Sequence, residues 1–493
     1  MSSSSTLTTS LIGQMRFRNY MFYAQDDWKI ATRLSLTLGL RYEFTTPWYE
    51  KHNNMNTLIL DPGPAFNTIQ TAGYCGSSLS CRSLADTNPL NFGPRVGLAY
   101  RLDNRNVVRA GVGTFYGGQG ALGANGRQIN NFPFNRSVTV TAAGSTPALI
   151  LSAGFPPLLQ TMGAPPANAN WIVWAKYFPE PTVYQWNFSI QREIFRGISL
   201  TASYVGSGSS YLAGSYNWNA APPGPPATAP SRRPIPQWNT VSYQTPWGHS
   251  SYNGLNAQLE RRFSKGLSLN VAYTYSHSID NIAEQFGSPS GDVHQTTNFN
   301  ASRASSGFDV RQRFVTSAIY ELPFGKGRAM LNRGGMLNAL LGGWQLTSIV
   351  AFQQGLPFSA TVANALTRLG GNNLADWRAD LAGDPSISGP TQNRWFSSAA
   401  FALPRTADGS WHYGNSGRNI LRADGIGNLE SGLIKKFNVN ERVNVAFRWD
   451  VFNLTNSPQY ANPINGIDNP DFGKSQSIVN SPRQMQFALR IGF

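Results

Sequence analysis

Three features of the sequence predict an all-β fold, a transmembrane antiparallel up-and-down β-barrel with short periplasmic turns and long extracellular loops. They are a period-two alternation of side chains, a sorting of connections by length, and a low charged fraction. The 493 residues hold 40 Lys+Arg and 25 Asp+Glu, a net charge of +15, yet charged residues make up only 13% of the chain. Soluble domains carry about 25%. Hydrophobic residues reach 41% and aromatics 12%, beside 48 Gly and 31 Pro, so strand formers and turn formers dominate and charge-driven disorder is disfavoured. The longest apolar stretch, Leu337 to Phe352, is broken by Asn338, Gly342, Gly343, Gln345 and Thr347. That falls short of the roughly 18 to 20 apolar residues of a membrane helix.

In a strand, successive side chains point to opposite faces, so alternation separates an apolar face from a wet one. Taken in chain order, thirteen segments read this way, near 17–30, 33–46, 91–101, 106–117, 182–194, 197–205, 250–262, 266–278, 307–322, 341–356, 426–437, 442–454 and 482–493. In the second, Leu34, Leu36, Leu38, Leu40, Tyr42 and Phe44 alternate with Ser35, Thr37, Arg41 and Glu43. In the eighth, Leu267, Leu269, Val271, Tyr273 and Tyr275 alternate with Ser268, Asn270, Thr274 and Ser276. The twelfth sets Val443, Val445, Phe447, Trp449 and Val451 against Asn444, Ala446, Arg448 and Asp450. The last sets Met485, Phe487, Leu489, Ile491 and Phe493 against Gln486, Ala488, Arg490 and Gly492.

The connections alternate between short and long. Ala31 to Thr32, Leu102 to Arg105, Phe195 to Arg196, Phe263 to Lys265 and Asn438 to Glu441 are short, and Pro323 to Leu340 is of middling length. Pro47 to Leu90, Gly118 to Pro181, Gly206 to His249, Ile279 to Ser306, Pro357 to Gly425 and Thr455 to Ser481 are long, so all long loops fall at one end. Outer-membrane barrels have this asymmetry, and their strands are apolar outside and polar inside. A Greek-key sandwich has no reason to sort its loops so strictly. Lipid also imposes closure, because every backbone N–H and C=O at membrane depth must be paired within the protein.

Thirteen strands is an odd number, whereas bacterial single-chain barrels have even ones. Met1 to Tyr20 lacks the basic start, apolar run and small-residue cleavage site of a secretory signal. The chain therefore reads as the C-terminal part of a larger protein, or as a reading frame whose start is placed too late. Residues 1–16 are expected to be disordered or a partial strand, and 17–493 to be barrel.

The segments FRNYMFYAQDDWKIATRLSLTLGLRYEF (17–44), FDVRQRFVTSAIYELPFG (308–325), FNVNERVNVAFRWDVFNLTNSP (437–458) and the terminal RQMQFALRIGF resemble the barrel of TonB-dependent outer-membrane receptors. The likeness is to the Oar-like group with a carboxypeptidase-regulatory-like domain, and it covers essentially the whole chain. It implies that the thirteen strands are the last thirteen of a 22-stranded barrel. The plug, the TonB box and the first strands of that family have no counterpart here, so TonB is implied as a partner only through that missing N-terminal part. Uptake or surface binding of a nutrient such as a carbohydrate or a metal chelate is the implied function. A non-transporting adhesion or anchor barrel and a passive, anion-favouring channel are the alternatives.

The resemblance makes the terminal Phe493 part of the signal read by the barrel-assembly machinery, while alternation alone also makes it a lipid-facing ring. Trp28, Tyr42, Phe44, Tyr100, Tyr116, Trp186, Tyr204, Tyr275 and Trp449 lie near strand ends and suit interfacial girdles. The loop rings Trp171, Trp174, Tyr177, Trp218, Trp238, Trp247, Trp377, Trp395, Trp411 and Tyr413 either stack on a flat ligand or, the preferred reading, pack the loops together. The run Ala221 to Pro236 is expected to be a stiff loop with extended polyproline geometry.

The polar parity places Arg41, Arg95, Arg101, Arg109, Arg262, Arg448 and Arg490 in the lumen with Glu43, Glu260 and Asp450. These arginines either favour anionic solutes or, the preferred reading, pair with the acids or with a plug. Cys75 and Cys81 are a candidate loop disulfide or a pair of isolated thiols. Fifteen cations, Lys29, Arg33, Arg101, Arg105, Arg192, Arg196, Arg261, Arg262, Lys265, Lys326, Arg328, Arg333, Lys435, Lys436 and Arg442, lie in or beside the short turns. There they are expected to form a rim of anchors to anionic headgroups.

Catalysis finds little support. His52, His249, His277, His294 and His412 are scattered, and no Walker loop, dinucleotide fingerprint, nucleophile elbow or metal motif occurs. No cofactor is expected. The basic residues are spread over many strands rather than gathered in one patch, which disfavours a nucleic-acid partner.

Overall fold

The computed structural model describes residues 4–10, 12–117, 125–141, 165–282, 298–332, 334–362, 377–438 and 443–493. Thirteen strands carry the architecture: β1 (Asn19–Ala31), β2 (Leu34–Thr45), β3 (Phe92–Arg101), β4 (Asn106–Tyr116), β5 (Thr182–Phe195), β6 (Ile198–Asn217) and β7 (Val241–Ser264), followed by β8 (Leu267–Asp280), β9 (Gln312–Glu321), β10 (Trp344–Gln353), β11 (Ile426–Asn438), β12 (Asn444–Phe452) and β13 (Gln484–Gly492). Each pairs with the next in chain order, which is the topology that the alternation and the sorted connections require. Each neighbouring pair is antiparallel. Among the described residues β1 and β13 are the two edges and do not pair with each other.

The register turns the alternation of single strands into two continuous faces. One row runs Leu38, Val96, Val112, Trp186, Gly206 across β2 to β6. Another runs Leu267, Tyr320, Leu346, Leu433, Trp449, Phe487 across β8 to β13. The opposite face reads Gly39, Arg95, Gly113, Gln185, Ser207 and, farther round, Ser268, Ile319, Thr347, Gly432, Asp450, Gln486. The first face is apolar and open to its surroundings, as Leu38, Phe487 and Leu489 illustrate at 44%, 64% and 67% exposure. All nine predicted girdle aromatics lie on it. Gly206 is needed there because a Cβ would come within 2.3 Å of the Trp186 ring that lies across it.

Burial is concentrated in the long connections. One core joins Leu58, Trp171, Val173, Ile235, Trp238 and Val241, and another joins Phe358, Ala360, Ala379, Phe396, Ala400, Phe401 and Leu421. The sheet also departs from the expected bounds. β6 and β7 run far past 197–205 and 250–262, out to Asn217 and from Val241. Spanning lipid takes about 9 to 11 residues, so their outer halves rise beyond it. There small and polar residues such as Ser207, Gly208 and Ser209 replace the alternation, and Trp171–Trp174 adds in parallel to Val241–Gln244.

β9 is shorter than 307–322 because Asp309 turns its carboxylate back to the Ser278 backbone N–H, ending the ladder at Gln312. The middle-length connection forms a short helix, α1 (Met336–Leu341), so β10 starts at Trp344 rather than 341. The Ala221–Pro236 run is not extended polyproline. Ala229–Arg232 makes one helical turn, and Arg232 donates to the Pro222 and Pro225 carbonyls, folding the segment back on itself. Near the start, Ser4–Ser10 pairs with Asn135–Thr141, and Met15–Arg16 with Tyr49–Glu50, away from the main sheet.

Candidate functional site

Two regions offer chemistry, the polar face of the sheet and the layer formed by the long connections. Arg95 sits between Gly39 and Gly113, and its guanidinium stacks 4.5 Å from the centre of the Phe115 ring. A Cβ on Gly113 would lie 3.2 Å from Arg95 Cγ and 3.1 Å from that ring, so the glycine makes room for the arginine to lie along the wall. Arg109 donates to Gln191 Oε1 at 3.1 Å. Arg41 pairs with Glu43, and Arg448 pairs with Asp450 at 2.6 Å. Thus two of the seven named arginines are neutralised by acids of the same strand, whereas Arg95, Arg101, Arg109, Arg262 and Arg490 have no ion-pair partner among the described residues. Glu260 lies opposite Ser199 and Asn270, apart from the paired arginines. A recess of about 400 Å³ indents the wall between β8 and β12, lined by Ile319, Ile349, Ile434, Glu430, Arg448 and Asp450.

In the loop layer most of the candidate stacking rings are already engaged. Trp171 packs edge-on against Trp238, Trp174 stacks on Phe178, Trp247 on Phe299, and Trp377 on Tyr413. Trp218 meets Phe66, Trp395 donates to the Arg422 carbonyl, and Arg405 lies over Trp411. Tyr177, 65% exposed, is the ring left open. Loop packing therefore uses most of these aromatics.

Ionic contacts fasten the loops to the wall. Asp309 is 1% exposed and accepts from the Ser278 N–H (2.8 Å), Arg311 Nε (3.1 Å) and Arg422 Nη2 (2.6 Å), with His277 Nδ1 at 3.2 Å. Burial raises its carboxyl pKa, but the Ser278 N–H, Arg422 and His277 outweigh that and hold it below the ordinary carboxylate range. Asp280 and Arg418, both buried, pair across the same junction. At the other side, Glu50 accepts from the backbone N–H groups of Gln14, His52 and Asn54. Its burial raises the pKa and those three donors lower it further than burial raises it. Cys75 and Cys81 are disulfide-bonded beside this corner, at a Cα separation of 5.5 Å.

Sequence reasoning missed the Asp309 and Asp280 junctions, because Asp309 reads as a strand residue in FDVRQRF and its partner Arg422 lies 113 positions away. His277 joins Asp309 and His412 pairs with Asp380 at 2.8 Å, while His294 lies outside the described residues. No group of three or more potential metal ligands gathers among the described residues. Phe493 ends the chain fully exposed, past the last residue of β13. Several turn cations bend back rather than outward, Arg33 to the Leu102 carbonyl, Arg101 to that of Thr32 and Arg261 to that of Ser264. Arg333 and Arg442 lie outside the described residues.

The family described as "Outer membrane beta barrel domain" matches residues 1–486. No curated protein matches the sequence. Among solved structures, the ferripyoverdine receptor of the outer membrane of Pseudomonas aeruginosa is similar at 10% identity and a TM-score of 0.42, over 97% of this chain and 39% of that one. The outer membrane transporter YddB from Escherichia coli aligns at 11% identity and a TM-score of 0.45, over 97% and 54%. The ferric-catecholate import receptor Fiu from Escherichia coli K12 aligns at 10% identity and 0.43, over 97% and 45%. The chain spans between two fifths and just over half of the length of these structures.

Proposed function

Because the chain belongs to the outer membrane beta barrel domain family, we propose that it supplies the wall and extracellular loops of a nutrient receptor of the TonB-dependent, Oar-like kind. The observation that carries this reading is the pairing of a largely polar sheet face, which bears the arginines, with a loop layer that has hydrophobic cores of its own. A simple anchor needs neither. In the receptors it resembles, TonB coupling belongs to a plug and TonB box N-terminal to these strands, and we place it there for this protein too.

The solute is proposed to be anionic, a metal chelate rather than a neutral carbohydrate. Five luminal arginines have no ion-pair partner among the described residues, and fixed cations in a confined path favour anions. The loop rings that a sugar would need are largely packed away. Purified in detergent, the protein is expected to bind an anionic ferric chelate more tightly than a neutral oligosaccharide. Arg95→Gln with Arg109→Gln should abolish that preference. A preference for the neutral ligand, or one indifferent to the double change, would overturn the reading. Phe493 is proposed as the assembly signal, and Phe493→Ala should slow the appearance of heat-modifiable barrel in the outer membrane.

A further inference from the structure

We infer that the connection between β9 and β10 is an anchor that inserts in the periplasmic leaflet and gathers anionic phospholipid. All the other turns at that end span only a few residues, yet 322–343 is long and its described residues, 322–332 and 334–343, are tied together by hydrogen bonds. Gly325 N–H donates to the Met330 carbonyl, Met330 N–H to that of Pro323, and Lys326 N–H and Gly327 N–H to the side chains of Asn338 and Asn332. So long a connection is not needed to reverse two adjacent strands.

α1 is bolted to the outside of the wall. Trp344 and Lys435 face each other in the β10–β11 register on the lipid parity, in line with Phe447. The Trp344 indole N–H donates to the Leu340 carbonyl at 2.9 Å, and Lys435 Nζ donates to the Leu340 and Gly342 carbonyls at 2.8 and 2.9 Å. Lys435 Nζ also lies 4.9 Å and 4.8 Å from the ring centres of Trp344 and Phe437. A cation on the lipid face of a strand would be costly in hydrocarbon; here it is 3% exposed and satisfies the free carbonyls at a helix C-terminus. The sequence-level expectation of a headgroup anchor at Lys435 is thus replaced by an internal clamp.

That clamp fixes which way the helix faces. Asn338 turns toward the turn it caps, while Met336 and Leu340, one helical turn apart, are 80% and 61% exposed. Met330, Leu331 and Leu341 add exposed apolar surface at 56%, 50% and 43%. This surface continues the lipid-facing row of Tyr320, Trp344 and Leu346, so its occupant is the same lipid. The segment 322–343 contains Lys326, Arg328 and Arg333 and no acidic residue, which selects an anionic headgroup. Arg328 also holds Glu321 at 2.7 Å, steadying the base of the unit.

The test labels the full chain through Met336→Cys with an environment-sensitive fluorophore, in phosphatidylcholine vesicles containing phosphatidylglycerol, with bromine on the acyl chains of one lipid or the other. Strong quenching is expected at Met336→Cys and none at Asn104→Cys in a short turn. Brominated phosphatidylglycerol should quench more than brominated phosphatidylcholine, an enrichment of up to about fivefold per cation. Lys326→Gln, Arg328→Gln and Arg333→Gln together should erase the difference. Quenching at Met336 no greater than at Asn104, or equal for both lipids, overturns the inference. Assembly of each variant is checked by heat-modifiable migration, and Leu340→Cys gives a second label site if Met336→Cys does not assemble.

Discussion

The wall and the loop layer of this molecule are stabilised in opposite ways. In the wall the large apolar side chains point away from the protein, and the strands are held by antiparallel ladders from strand to strand and by lipid. In the loop layer Met55, Trp171 and Val241 are at most 1% exposed, and hydrophobic cores, buried ion pairs and a disulfide take over. The contrast teaches that one chain can carry two kinds of stability, one set by the bilayer and the other by water. A change in one region should leave the other standing.

The largest expected break of this separation is in the loops. Trp171→Ala removes the centre of the Trp238 and Val241 core and should cost about 4 kcal/mol. It is expected to open the loops to protease on whole cells while heat-modifiable migration of the barrel persists; loss of both together would join the two regions into one unit. Leu98→Arg places a charge on the lipid face and should cost about 3 kcal/mol of barrel stability. Its loops should keep their protease resistance, and denaturant unfolding in lipid vesicles measures the loss.

A smaller effect is expected from Asp309→Ala, about 2 kcal/mol, since it strips one anion from two arginines and His277 whose other faces reach solvent. The pH dependence has a definite sign. The folded Asp309 pKa lies below its unfolded value of about 3.9. Its stabilisation is therefore complete above about pH 4 and lost as pH falls through the lowered value. Loop protease sensitivity should rise in that acid window in the wild type, and the rise should be weaker in Asp309→Ala. Reducing Cys75–Cys81 closes no long loop and should cost at most about 2 kcal/mol, confined to its corner. Smallest of all, Ser203→Lys on the luminal face of β6 should change stability by less than about 0.5 kcal/mol, which isolates the lipid face as the sensitive one.

The wall was legible because lipid enforces a single rule on every strand. Leu34 to Phe44 and Met485 to Phe493 advertise their faces residue by residue, and the register only had to line them up. The loop layer obeys no such period. Trp171, Trp238 and Val241 meet from separate segments, and Arg422 reaches Asp309 from 113 positions away, with β9 and β10 between them in the chain. Lys435 shows the limit within the wall itself: alternation put it on the lipid face, but only the neighbouring helix explains how a cation is tolerated there.

By itself, then, the sequence determined strand number, strand order and facing, since period-two chemistry and connection length are local properties that a bilayer reads directly. Tertiary structure alone decided which arginines of the polar face are neutralised, which loop rings are spent in packing, and which turn cation is a clamp rather than an anchor. Those outcomes depend on contacts between residues far apart in the chain, where no local pattern carries the information.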